Sequence, residues 1–190
     1  MPHVIEFAAS GRAKCRGCDK KIAKGELRFG ERLPNAFGEG EATLWFHLRC
    51  AAYKRPETFL EALAAGDEAA AVAAVPDKDE LRACAELGAA HRRLPRVARA
   101  DRAPTGRARC RHCRELIEKG QWRIGLEFFE EYRFEPSGFV HARCAHEYLG
   151  TTQIADRLRH FNPDLPDEEL DALVAAMASA PGAAPQAGAG

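Results

Sequence analysis

Two stretches decide how this chain folds: GRAKCRGC at residues 11–18 and GRARCRHC at residues 106–113. Each carries a Cys-x-x-Cys pair, and each is answered downstream by a His-x-x-Cys pair. His47-Leu-Arg-Cys50 follows Cys15 and Cys18 after 28 intervening residues, and His141-Ala-Arg-Cys144 follows Cys110 and Cys113 after 27. Three thiols and one imidazole thus recur with an offset of 94 to 95 residues. That period is too long for a solenoid and fits a duplicated domain.

The full sequence has 190 residues, enough for one ordinary domain or two small ones. A finger of roughly 45 residues is too small to rely on a hydrophobic core alone and needs a staple. The seven cysteines are odd in number, which argues against a complete disulfide framework. The N-terminus MPHVIEFAAS lacks the layout of a signal peptide. No apolar run reaches the ~18 residues of a membrane span. The expected compartment is therefore reducing, where such thiols bind metal more often than they pair.

Zinc takes thiolates and imidazole in a tetrahedral shell, and three cysteines with one histidine make a recognised structural set. Cys15, Cys18, His47 and Cys50 are expected to hold one zinc ion, and Cys110, Cys113, His141 and Cys144 a second. The i, i+3 spacing of His and Cys puts both on one face of a helix start. A shell of four protein ligands leaves no open position for catalysis. A redox pair would need no partner His-x-x-Cys. Cys84 is expected to be a buried helical thiol, and His112 and His146 surface residues rather than ligands. His3, His91 and His160 have no constellation around them.

The net charge of zero hides segregation. Residues 10–55 hold 11 Lys/Arg against 5 Asp/Glu, residues 56–90 hold 2 against 8, and residues 91–103 hold 5 against 1. Residues 104–148 are nearly balanced, at 8 against 7, and residues 149–190 hold 2 against 6. The expected class is small α+β zinc-stabilised domains joined by helices and a basic linker. Its segments are a finger at 1–55, helices and an arginine-rich linker at 56–103, and a finger at 104–150. A C-terminal helical segment at 151–177 and an Ala/Gly/Pro tail at 178–190 complete the chain. Pro56 marks the first turn of a helix, Pro76-Asp77 a break, and a last helix follows Pro166. EPSG at 135–138 reads as a loop.

Beyond the ligands, VIEFAASGRAKCRGC, KGELRFG and LWFHLRC resemble the poly(ADP-ribose) polymerase-type (PARP-type) zinc finger. GRARC, GQWRIG and GFVHARC resemble it again, so the likeness implies two tandem copies of about 45 residues each. That family occurs in poly(ADP-ribose) polymerases, a class of DNA ligase and a DNA-end-processing phosphatase. Its fingers recognise strand breaks through backbone and shape. The resemblance implies phosphate contacts by Arg12 and Arg28 in the first finger and by Arg107 and Arg123 in the second. It also implies stacking on an exposed terminal base pair by Phe37, and by Tyr132 and Phe134. Arginine forks suit phosphate oxygens and position a protein without reading sequence.

The function implied is zinc-dependent recognition of nicks, gaps and ends, with two Zn2+ per chain and broken DNA as partner. A repair enzyme is a candidate further partner, and a membrane is not. Nothing resembles a transferase or ligase catalytic domain, so no enzymatic activity is expected. Localisation would follow the DNA, at the bacterial nucleoid or in the eukaryotic nucleus. The competing reading is a zinc-dependent adaptor that docks proteins on the acidic helices and has no DNA role.

Overall fold

The computed structural model describes residues 2–35, 38–65 and 70–179. The chain divides into two compact units, Met1–Arg96 with Phe128–Glu135, and Val97–Glu127 with Pro136–Gly190.

The first unit is built on an antiparallel sheet of β1 (Val4–Phe7), β2 (Leu27–Pro34) and β3 (Glu41–His47), in that order. Its register places Phe29 between Ile5 and Phe46. Among the described residues the helices α1 (Leu48–Lys54), α2 (Pro56–Ala65), α3 (Ala70–Ala73) and α4 (Lys78–Ala90) follow. Pro56 opens α2, where the missing N–H costs nothing. Phe59, Ala62 and Leu63 of α2 and Leu81 and Ala85 of α4 are buried, at the three- and four-residue spacing of an amphipathic face. The Phe59 ring meets Phe29 edge-on at 5.6 Å, and burying such a side chain stabilises by about 1.5–3 kcal/mol. Arg49 of α1 bonds Glu80 of α4 at 2.6 Å. The acidic helices thus spend their apolar faces on the first unit.

Glu31 on β2 is fully buried and is held by Arg55, whose guanidinium reaches it at 2.6 to 3.0 Å. Arg55 also lies over the Phe129 ring, 4.0 Å from its centre. Phe129 belongs to the segment Phe128–Glu135, which completes this unit from far along the sequence.

The second unit has a sheet of β4 (Val97–Arg102), β5 (Trp122–Glu130) and β6 (Arg133–His141), in that order. The tips of β5 and β6 are the Phe128–Glu135 segment just described. A 3-10 turn (Ala142–Cys144), α5 (Ala145–Leu149), α6 (Ala155–Phe161) and α7 (Asp167–Ala178) follow. Leu158, Phe161, Leu170, Leu173 and Met177 of α6 and α7 are buried. α7 starts after Pro166 as the sequence suggests, with three acids in its first turn where the helix dipole favours them.

Two sequence expectations fail here. The stretch 92–102 is no linker: it forms a 3-10 turn (Leu94–Arg96) and the strand β4. Its inward residues are only Val97 and Ala100, with a register shift between them, so the alternation is faint. EPSG is no loop either, for it lies inside β6. β6 is an edge strand, where Pro136 can be tolerated, and Gly138 supplies a φ of 99°. Of the expected 178–190 tail, residues 180–190 lie outside the described residues.

Candidate metal centres and nucleic-acid interface

Each Cys-x-x-Cys pair sits on a small backbone knuckle. The Asp19 N–H donates to the Cys15 carbonyl at 2.8 Å, the Cys15 N–H to the Lys20 carbonyl at 2.9 Å, and the Ile22 N–H to the Ala13 carbonyl at 3.0 Å. Around Cys110 the same three bonds come from Arg114, Cys110 and Ile117, at 3.0, 2.9 and 2.8 Å. Asp19 and Arg114 take the left-handed φ that closes each knuckle, 58° and 67°. Ile22 and Ile117, both fully buried, pin the knuckles to their cores. The second pair arrives on the last strand and the turn that follows it: His47 caps α1 and Cys50 lies in its first turn. His141 ends β6, and Cys144 ends the 3-10 turn.

The ligand atoms of each quartet lie within 4.8 Å of one another. In the first, His47 Nδ1 is 3.3 Å from Cys18 Sγ and 4.0 Å from Cys50 Sγ. In the second, His141 Nδ1 is 3.4 Å from Cys113 Sγ and 4.0 Å from Cys144 Sγ. Tetrahedral zinc with Zn–S of about 2.3 Å and Zn–N of about 2.0–2.1 Å demands an S···N edge of about 3.6 Å. Both quartets fit zinc.

The surroundings select the same donor atoms. Nε2 of His47 faces the Lys21 carbonyl at 3.3 Å, and Nε2 of His141 faces the Leu116 carbonyl at 3.1 Å. An Nε2–H donated there leaves the Nδ1 lone pair for the metal. The N–H groups of His47 and His141 each donate to a cysteine sulfur, Cys15 and Cys110, at 3.3 Å. Such donors favour thiolate.

Protonation in the metal-free quartets shows what the cation must do. The hydrogen bond from Cys50 holds Cys15 down at about 4 and Cys18 at about 7. Those same bonds push Cys50 far up. His47 is raised to about 9, chiefly by its bond to Cys15. In the second quartet burial works to raise Cys110, yet the N–H groups of His141, Cys113 and His112 hold it low. Burial pushes Cys144 up to about 12 and, with Arg143 nearby, lowers His141. Cys50 is held protonated by the hydrogen bonds it gives to Cys15 and Cys18, and Cys144 chiefly by burial, although a thiol must ionise to bind a metal. A divalent cation removes that conflict, so zinc binding releases protons and adds its free energy to folding.

The residues expected at DNA differ in setting. Arg12 and Arg107 are exposed. Arg28 is buried, bonded to Glu6 at 2.6 Å and stacked 3.5 Å over the Trp45 ring. Arg123 repeats this with Asp101 at 2.8 Å and Phe139 at 3.7 Å. The carboxylate and ring partners went unnoticed in the sequence, although Glu6 and Asp101 share the offset of 95 residues. Phe37 lies outside the described residues. Tyr132 and Phe134 lie in the first unit, where the Tyr132 hydroxyl donates to the Pro34 carbonyl. The Phe134 ring stands 6.3 Å from Phe46 and 5.1 Å from Phe129.

Cys84 is half-buried. His112 and His146 are half-buried too, rather than fully on the surface, and His112 pairs with Glu147 at 3.2 Å. Among the described residues the metal-ligating groups comprise the eight expected ligands and neither of these histidines.

Residues 6–92 match the family described as the poly(ADP-ribose) polymerase and DNA-ligase Zn-finger region. The chain therefore carries a PARP-type zinc finger there, and the match takes in α2 to α4 as well as the metal quartet. The family match is thus wider than the 45 or so residues read from the sequence, and it stops at residue 92, short of the second quartet. A poly [ADP-ribose] polymerase of Sarcophaga peregrina is 30% identical over 196 residues, covering 90% of this chain and 19% of its own. Poly [ADP-ribose] polymerase 1 of Caenorhabditis elegans is 42% identical over 50 residues, 26% of this chain and 5% of its own. The polynucleotide 3'-phosphatase ZDP of Arabidopsis thaliana is 26% identical over 170 residues, 76% and 24%. The chain spans a quarter or less of the length of these relatives.

Proposed function

We propose that this chain recognises DNA strand breaks through phosphate and terminal-base contacts, with both zinc modules acting as PARP-type fingers. It performs no chemistry itself and marks nicks, gaps or ends for a repair enzyme, wherever the cell keeps its DNA. Zinc is structural in this reading: it closes each knuckle onto its sheet and so holds the cationic surface in shape.

One observation carries the proposal. Arg12, Lys14, Arg16, Lys20, Lys21 and Lys24 are all exposed on the knuckle of the family-matched finger. Among the described residues none of the six is in an ion pair. Cations kept unpaired on a zinc-stiffened loop suit phosphate oxygens, and their counterions are released on binding. Arg28 and Arg123 contribute differently. Each commits two of its nitrogens to a carboxylate and keeps further donors for a phosphate, in an orientation set by the ring beneath. The names of the relatives, polymerases of ADP-ribose and a polynucleotide phosphatase, support the same reading. The adaptor alternative gains nothing, since the acidic helices bury their apolar faces within the first unit.

The test is fluorescence anisotropy of the zinc-loaded chain with intact hairpin-capped, nicked, gapped and blunt-ended duplexes. Preference for the broken forms is expected. Arg12→Ala should weaken that binding on the order of tenfold, the weight of one charge-assisted hydrogen bond, with two zinc ions retained. Equal affinity for all four duplexes would overturn the proposal.

A further inference from the structure

Two large apolar side chains are exposed among the described residues of the second unit, Leu116 and Val174, and their surroundings differ in sign. Val174 lies on α7, where Asp167, Glu168 and Asp171 are exposed too. Leu116, 47% exposed, lies on the second knuckle with Arg107, Arg109, Arg111, Arg114 and Lys119, all exposed. Among the described residues none of these five cations is in an ion pair. The acids of that knuckle are Glu115, which Arg143 neutralises at 2.7 Å, and Glu118.

A lone exposed leucine is ordinary on a protein surface, and its place in the repeat sets this one apart. Leu116 faces Arg109 across an antiparallel bridge, and the matched bridge of the first knuckle joins Lys14 to Lys21. Residues directly opposite across such a bridge share a face. That face therefore offers two cations in one module, and a cation with an apolar group in the other. The backbone beneath is held alike: the Lys21 carbonyl faces Nε2 of His47 at 3.3 Å, and the Leu116 carbonyl faces Nε2 of His141 at 3.1 Å. Where the first knuckle suits a phosphate, the second suits a ligand apolar at its centre and anionic at its rim. A broken duplex is such a ligand, because a break exposes the face of a base pair with phosphates around it. Tyr132 and Phe134, the aromatics expected to stack there, belong to the first unit and are spent on Pro34 and Phe46.

We propose that Leu116 is the apolar contact of the second module, packing on the base-pair face exposed at a nick or end while Arg109 beside it meets a flanking phosphate. This rests on the break-recognition reading above.

Leu116→Lys copies the first knuckle and so separates apolar contact from charge. The measurement is fluorescence anisotropy of the full-length zinc-loaded chain with nicked and intact hairpin-capped duplexes. In Leu116→Lys the preference for the nicked form should fall about fivefold, what covering the exposed half of a leucine is worth. Affinity for the intact duplex should hold or rise with the added cation, and two zinc ions should remain bound. Leu116→Asn, which adds no charge, should lower the preference equally, Leu116→Met should keep it, and Val174→Lys should leave it unchanged. Undiminished preference in Leu116→Lys or Leu116→Asn overturns the proposal while the break-recognition reading stands. A wild-type chain with no preference for nicked DNA defeats that reading, and this proposal falls with it.

Discussion

The two zinc modules match in their ligand frames and differ in what surrounds them. The S···N distances are 3.3 and 4.0 Å in one and 3.4 and 4.0 Å in the other, with 3.3 Å N–H···S bonds in both. The arginine–carboxylate–ring stack is repeated as well. Yet His47 is raised by its bond to Cys15 while His141 is lowered by burial. β2 carries a buried glutamate at position 31, where the offset of 95 residues puts buried Leu126 on β5. Metal ligation tolerates little variation in distance, whereas the packing that covers a sheet has many solutions.

The comparison breaks first at the metal. Cys18→Ser and Cys113→Ser should each lower zinc from two ions per chain to one, by atomic absorption, and unfold the module concerned. A structural zinc is worth about 10 kcal/mol or more to its fold, far beyond what a small core offers as reserve. The chain has two tryptophans, Trp45 in the first unit and Trp122 in the second, so single-tryptophan backgrounds report each loss separately. Retention of two zinc ions in either variant would sink the ligand assignment.

A smaller effect belongs to the first unit alone. Arg55→Met strands Glu31 in the core and should cost about 3–5 kcal/mol in urea unfolding followed through Trp45. Adding Glu31→Leu, which copies the leucine of β5, should recover most of that loss. A double variant no better than the single one would show that the pair is not what holds this region.

The smallest effect separates two glycines. A Cβ on Gly30 would stand 2.6 Å from the Trp45 ring and 2.8 Å from Val4, whereas one on Gly125 meets nothing nearer than the Arg99 carbonyl at 3.2 Å. Gly30→Ala should therefore destabilise by about 1–3 kcal/mol, as overpacking does, and Gly125→Ala by less than about 1. Equal losses would mean that the tryptophan swings aside freely, and that its stack on Arg28 is loose.

Much of the site was legible because metal ligation is a matter of residue type and spacing. Four cysteine–histidine quartet members at matched intervals admit few other readings, and the helix starts after Pro56 and Pro166 follow from local backbone rules. β4 was not legible, because two small inward residues and a register shift erase the alternation that marks a strand. The β5–β6 turn was missed for a related reason: Glu131-Tyr132 carries no hairpin signal, since the strain of a left-handed tyrosine is held by contacts distant in sequence.

By itself, then, the sequence determined the eight ligands, the repetition of the frame and the separation of basic knuckles from acidic helices. These depend on chemistry carried by each residue and on short spacings. Only the tertiary structure decided that Arg28 and Arg123 are clamped by carboxylates, that Glu31 is buried against Arg55, and that Tyr132 grips Pro34. Each of these is a pairing across strands or across dozens of residues. Its energy depends on burial and angle, and neither is written in the order of the residues.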